Sequence, residues 1–177
     1  MSIPTYTGPM KPGATFDSSF WVHAVSLHLV EHLLEDYALV CPTAVETELG
    51  QDNLSAVRLK TLCAAGRIER ATPQSEPIPL YGLGERAAIN LALERKLLLL
   101  IDDWRPYEAA RAAGLPTVNT VVYLTHLCAR GRLGVNQVLE ALGTLARRGT
   151  IKPEWITLGV TLVAELRRQR GEQECQR

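Results

Sequence analysis

From Ser18 onward, apolar residues recur at helical spacing: Val22, Val25, Leu29, Leu33 and Leu34 fall near one face, and a serine stands where it caps the start. The pattern predicts a single helix from Ser18 to Tyr37. Before it, Ala14-Thr15-Phe16 reads as a short strand. After it, Ala38 to Cys41 is an apolar run stopped by Pro42, the signature of a buried strand, and Thr43 caps a helix through Val45 and Leu49. Ser55 to Ala65 is a further amphipathic helix closed by Gly66. Ile68 to Thr72 reads as an edge strand, followed by a proline-rich linker from Pro73 to Pro79.

Gly82-Leu83-Gly84 opens the next helix, whose body from Glu85 to Lys96 sets Ala88, Ile89, Ala92 and Leu93 on one face. The unbroken run Leu97 to Ile101 suits a strand of a parallel sheet covered on both sides, and it ends in Asp102-Asp103. A helix from Tyr107 to Ala113, a short strand from Pro116 to Val118 and a helix from Thr120 to Ala129 follow. Two amphipathic helices, Val135 to Arg148 and Glu154 to Arg170, are separated by Gly149 and Pro153. Strands alternating with helices predict an α/β fold with a mainly parallel central sheet. The expected organisation is an irregular arm over 1–13, one domain over 14–170 and a frayed tail over 171–177.

Composition narrows the function classes. The 177 residues are 46% hydrophobic, enough for a core that needs no disulfide or structural metal. Nineteen Lys and Arg balance nineteen Asp and Glu, so nucleic acid could be bound only through a local patch. Cys41, Cys63, Cys128 and Cys175 show no C-x-x-C spacing, which argues against a zinc ribbon and for reduced thiols. The N-terminal residues carry one lysine and no apolar stretch, and no apolar run is long enough to cross a bilayer, so a cytoplasmic protein without a membrane partner is expected.

In parallel α/β sheets ligands bind beyond the carboxyl ends of the strands. Acids recur there: Asp17 after the first strand, Glu48 on the helix after the second, Glu85 after the Gly-rich turn, and Asp102 and Asp103 after the leucine strand. Converging carboxylates repel, and a hard divalent cation bound through oxygen is the usual compensation. Taken singly, an acid in a first helical turn is explained by the macrodipole alone, so the joint placement carries the inference. His28 and His32, four apart, lack a third ligand nearby and read as a solvated face. Gly82-Leu83-Gly84 lacks the later glycine of a dinucleotide loop and the lysine of a P-loop.

Phe16-Asp17-Ser18-Ser19, Pro42-Thr43-Ala44-Val45 leading to Glu48-Leu49, Gly82-Leu83-Gly84-Glu85 with Ala88-Ile89 and Ala92, and Leu99-Leu100-Ile101-Asp102-Asp103 with Ala109, Ala110 and Arg111 resemble, in order, the successive motifs of PIN-domain proteins. The likeness runs from about Phe16 to Leu133 and is to a prokaryotic PIN-like subgroup whose members resemble the toxin ribonucleases of toxin–antitoxin modules. It implies a three-layer α/β/α fold and an acid cluster that binds Mg2+ or Mn2+ for phosphodiester hydrolysis, usually of RNA. Matched by motif, Asp17, Glu48, Glu85 and Asp103 are the catalytic and metal-binding acids, with Asp102 a neighbour able to substitute or assist. Asn119-Thr120 stands where the subgroup more often has Gly-Thr, at a position taken as substrate-binding.

Of the basic residues, Arg105 is the best candidate for RNA, since Trp104-Arg105 directly follows the acidic strand end and joins stacking to charge. Arg86, Arg111, Arg130 and Arg132 read as solvated surface for the most part. The leading reading is a metal-dependent endoribonuclease, the toxin of a toxin–antitoxin pair with a small antitoxin partner. The alternative is a PIN-like binding or scaffold protein without turnover. A homodimer is expected through helices with surplus apolar residues, including Phe20, Trp21, Trp155 and Leu162.

Overall fold

The computed structural model describes residues 11–75 and 81–175, so most of the expected arm and the linker residues 76–79 lie outside the described residues. Five strands, β1 (Gly13–Phe16), β2 (Ala38–Pro42), β3 (Glu69–Ala71), β4 (Leu98–Leu100) and β5 (Thr117–Val118), form one parallel sheet in the order β3-β2-β1-β4-β5. The helices are α1 (Ser18–Ser26), α2 (Val30–Asp36), α3 (Thr43–Leu49), α4 (Leu54–Ala64), α5 (Leu83–Arg95), α6 (Trp104–Ala112), α7 (Thr120–Ala129), α8 (Val135–Arg148) and α9 (Pro153–Cys175). Successive residues of β1, β2 and β4 are buried on both faces, as the unbroken apolar runs require of a sheet sandwiched between helices. This is the α/β architecture expected from the sequence.

The helix expected over 18–37 is two helices. α1 stops at Ser26, His28 takes a left-handed φ of 58°, and the Leu29 N–H donates back to the Ala24 carbonyl at 2.8 Å. That is the usual way a helix closes with a left-handed residue, here without the glycine that normally marks it. Val25 before the break and Leu29 and Leu33 after it are all buried, so the apolar spacing does not reveal it.

The dimer face expected from surplus apolar residues is largely core. Phe20 and Trp21 are fully buried, Trp21 stacks on Phe16 at 5.0 Å and donates its indole N–H to the Ser55 carbonyl. Trp155 is buried against Trp104 and Tyr107, leaving Leu162 as the exposed member of the four. α9 crosses α7 and α8 at Gly159, where a Cβ would lie 2.6 Å from Val121 Cγ1 and 3.1 Å from Leu142. The last helix continues to Cys175, past the Arg170 where the sequence ends it. Cys41, Cys63 and Cys128 are buried and form no disulfide among the described residues, and burial pushes the Cys41 and Cys63 thiols upward, away from reactivity. Among the described residues no helix is long and apolar enough to cross a membrane.

Candidate metal centre

The chain lays β2 and β3 on one side of β1, then returns to place β4 and β5 on the other. Strand order reverses between β1 and β4, and the crevice beyond their carboxyl ends is where such sheets bind ligands. Asp17 leaves β1 there, Asp102 and Asp103 leave β4, and the first turn of α5 brings Glu85.

Asp17 is the N-cap of α1: its Oδ1 accepts the Phe20 N–H at 2.8 Å. Its Oδ2 is buried and has no hydrogen-bond partner among the described residues. Burial, and next the Asp102 carboxylate, hold the Asp17 carboxyl well above the usual range, against the pull of the Phe20 N–H. One carboxylate oxygen from each of Asp17, Glu85 and Asp103 lies within 4.8 Å of the others. Burial, followed by the hydrogen bond with Asp103, raises Glu85 to about 7, while the Gly82 N–H, 2.7 Å from Glu85 Oε2, acts the other way.

Glu48 reaches the edge of this cluster from α3. Its Oε1 accepts the Gly84 N–H at 2.7 Å and its Oε2 accepts the Ser18 hydroxyl at 2.9 Å. The adjacent Ser19 hydroxyl donates to Asp103 Oδ2 at 3.3 Å. The glycines before α5 therefore make room for carboxylates: a Cβ at Gly82 would meet Glu85 Oε2 at 3.0 Å, and one at Gly84 would overlap Glu48.

Asp102 is a different kind of acid from its neighbour. Its Oδ1 accepts the Thr120 N–H at 2.7 Å, and its Oδ2 accepts both the Thr120 hydroxyl at 2.5 Å and His23 Nδ1 at 2.6 Å. Asp102 is buried with both oxygens engaged, so it tethers Thr120 and His23 and is not one of the three acids that cluster. Thr120 is fully buried against Asp102, and Asn119 is buried with its Oδ1 capping α7 through the Val122 N–H at 2.8 Å. Both side chains are thus engaged within the protein, Thr120 with Asp102 and Asn119 with the start of α7.

The basic candidates separate as well. Arg105 is exposed two residues beyond Asp103. Its neighbour Trp104 is occupied: Lys152 Nζ sits 3.5 Å from the ring centroid and Trp155 packs at 5.2 Å, so the expected free stacking surface is absent. Arg111 lies over Tyr107. Arg130 and Arg132 pair with Asp36, and Arg132 also contacts Glu35 and His32 Nδ1, which assigns His32 to an ion-pair network.

The three clustered groups fit a hard divalent cation. All donors are carboxylate oxygens, the Asp17 carboxyl has an oxygen without a partner among the described residues, and an ion about 2.1 Å from each ligand would draw together oxygens that lie within 4.8 Å of one another. A recess of about 380 Å³ lined by Ser18, Ser19, His23, Glu48, Asn53 and Thr150 adjoins them. Ser18, Ser19 and His23 were not singled out from the sequence. The serines stood in the quoted motif, whereas His23 carries no signal beyond a polar residue in an apolar helix.

A family model described as DUF3368: PIN domain matches residues 20–157. A solved structure of a PilT N-terminus domain protein from the archaeon Sulfolobus solfataricus is similar at 19% identity and a TM-score of 0.43, over 60% of this chain and 85% of that one. A search of curated proteins finds no match.

Proposed function

Because the chain belongs to the DUF3368 family of PIN domains, a nuclease fold, we propose that it is a metal-dependent endoribonuclease whose centre is Asp17, Glu85 and Asp103, with Glu48 at its edge. The observation that carries this reading is the Asp17 carboxyl: it is fully buried, its Oδ2 has no hydrogen-bond partner among the described residues, and it clusters with Glu85 and Asp103, so its charged form is costly unless a cation compensates it.

Asp17, Glu85 and Asp103 would hold Mg2+ or Mn2+, which when bound supplies the positive charge that phosphodiester hydrolysis requires. Glu85, raised to about 7, must give up its proton for that binding, so it makes affinity depend on pH near neutrality. Ser18 and Ser19 hold Glu48 and Asp103 by their hydroxyls and so fix the rim of the recess. Arg105 offsets the repulsion between phosphate and the acids. Asn119, which departs from the more usual glycine, caps α7 through the Val122 N–H, and the cluster of Asp17, Glu85 and Asp103 forms all the same.

In this role the protein would act as a toxin held by a small protein antitoxin, and it would self-associate through α9, where Leu158, Val160 and Leu162 are exposed. Growth arrest on induced expression, relieved by Asp17→Asn, supports the toxin role, and a monomer by light scattering removes self-association. For the activity itself, metal-free protein is incubated with single-stranded RNA. Cleavage that appears with Mn2+ and is abolished by chelator supports the proposal, and no cleavage at any metal concentration contradicts it.

A further inference from the structure

The last ladder bond leaving β4 toward β5 is the Ile101 N–H to the Val118 carbonyl at 3.0 Å, and α6 does not begin until Trp104. Asp102 and Asp103 thus lie on a short connection that the sheet does not hold. Asp103 is held from α6, where the Tyr107 N–H donates to its carbonyl at 2.9 Å, and Asp102 is anchored by its side chain, with two bonds to Thr120 at the start of α7 and one to His23 on α1. α1 is also the helix that Asp17 caps. The ring of His23 therefore joins the element carrying Asp17 to the segment carrying Asp103. The other side-chain link between them is the longer Ser19 bond to Asp103, at 3.3 Å and exposed.

We propose that His23 is a positioning residue that sets the spacing of Asp17 and Asp103 through its hydrogen bond to Asp102. This rests on the metal-centre reading above. A carboxylate can only accept, so Nδ1 carries the proton donated to Asp102. The opposite ring nitrogen, Nε2, lies 2.8 Å from the Thr150 hydroxyl in the loop between α8 and α9, which stops the ring from rotating away. Both His23 and Asp102 are almost completely buried, which shields the bond between them from water. Groups that orient a metal site in this way typically change affinity by about 10–100-fold when removed.

The test uses the full chain, freed of metal, with Mn2+ as the probe and the unbound ion measured by electron paramagnetic resonance. Asn at position 23 keeps a donor near the Nδ1 position, Gln keeps one near Nε2, and Leu keeps neither. His23→Leu and His23→Gln should bind Mn2+ about 10–100-fold more weakly, while His23→Asn should stay close to wild type. Melting of the metal-free proteins separates this from packing, since a packing role lowers the melting temperature of all three without restoring affinity in His23→Asn. If His23→Leu does not fold, the Asn and Gln pair alone decides. Equal affinity in wild type and the Gln variant, or equal weakening by Asn and Gln, overturns the proposal. A wild type that takes up no Mn2+ overturns the metal centre itself, and the positioning role with it.

Discussion

The Glu48 carboxylate occupies the space that a side chain at Gly84 would need: the Gly84 N–H donates to its Oε1 at 2.7 Å, and a Cβ on Gly84 would come within 2.9 Å of Glu48 Cδ. Gly84→Ala therefore displaces the tip of Glu48. The tip of a long side chain moves cheaply and alanine favours the helix, so stability should change by no more than about 1 kcal/mol. Mn2+-dependent RNA cleavage should fall about tenfold or more, since a group at the rim of the centre has lost its support. Parallel melting curves and cleavage rates check the two halves of this expectation.

Asp17→Asn should leave the metal-free protein as stable as before or more so by about 0.5–2 kcal/mol, because a buried charge among like charges is removed while the capping oxygen stays. Adding Mn2+ should reverse the ranking: the wild-type melting temperature rises and that of the variant does not. A variant that melts well below wild type without metal would make Asp17 a structural residue.

The opposite holds one strand away. Asp102→Ala removes the acceptor for two Thr120 donors and for His23, leaving them buried and unpaired. The expected loss is about 3–5 kcal/mol, read from chemical denaturation of the metal-free proteins. A loss below about 1 kcal/mol would show that Asp102 is not the tether described.

A carboxyl raised by folding binds its proton more tightly in the folded state, so its stabilising contribution is complete below the unfolded pKa and is lost as pH rises through the folded one. For Glu85 the window runs from the ordinary glutamate pKa, about 4.3, up to about 7. Asp17, also raised, acts with the same sign. Metal-free protein should therefore lose stability from these groups as pH rises across that window, and Glu85→Gln should flatten the slope. Mn2+ should stabilise the wild type progressively more over the same interval, since binding needs the deprotonated form. Melting temperatures at several pH values, with and without Mn2+, provide the check.

Gly159→Ala should destabilise by about 1–3 kcal/mol despite alanine's better helix propensity, because the added methyl meets the buried side chains of Val121 and Leu142. Denaturation midpoints measure it. An unchanged midpoint would mean that α9 is not packed on α7 and α8 as closely as the geometry indicates.

Much of the fold is written in apolar periodicity. Leu97 to Ile101 reads as a strand covered on both faces, and it pairs centrally between β1 and β5. The break at His28 is not legible, since neither glycine nor proline marks it and the buried Leu29 and Leu33 continue the same stripe. Among the acids, order along the chain points to the sheet edge, but Asp102 and Asp103 are adjacent and chemically identical. Which of them is tied down depends on where Thr120 and His23 lie in space. His23 looks like any polar residue in an apolar helix until Thr150, 127 positions away, is seen on its far side.

Mn2+ titrated into metal-free protein, with unbound ion counted by electron paramagnetic resonance, bears most directly on the carboxylate centre. Wild type should take up the ion, and Asp17→Asn should bind at least about 10–100-fold more weakly while remaining folded. Identical free Mn2+ at every point for the two proteins would contradict a cation held by Asp17, Glu85 and Asp103.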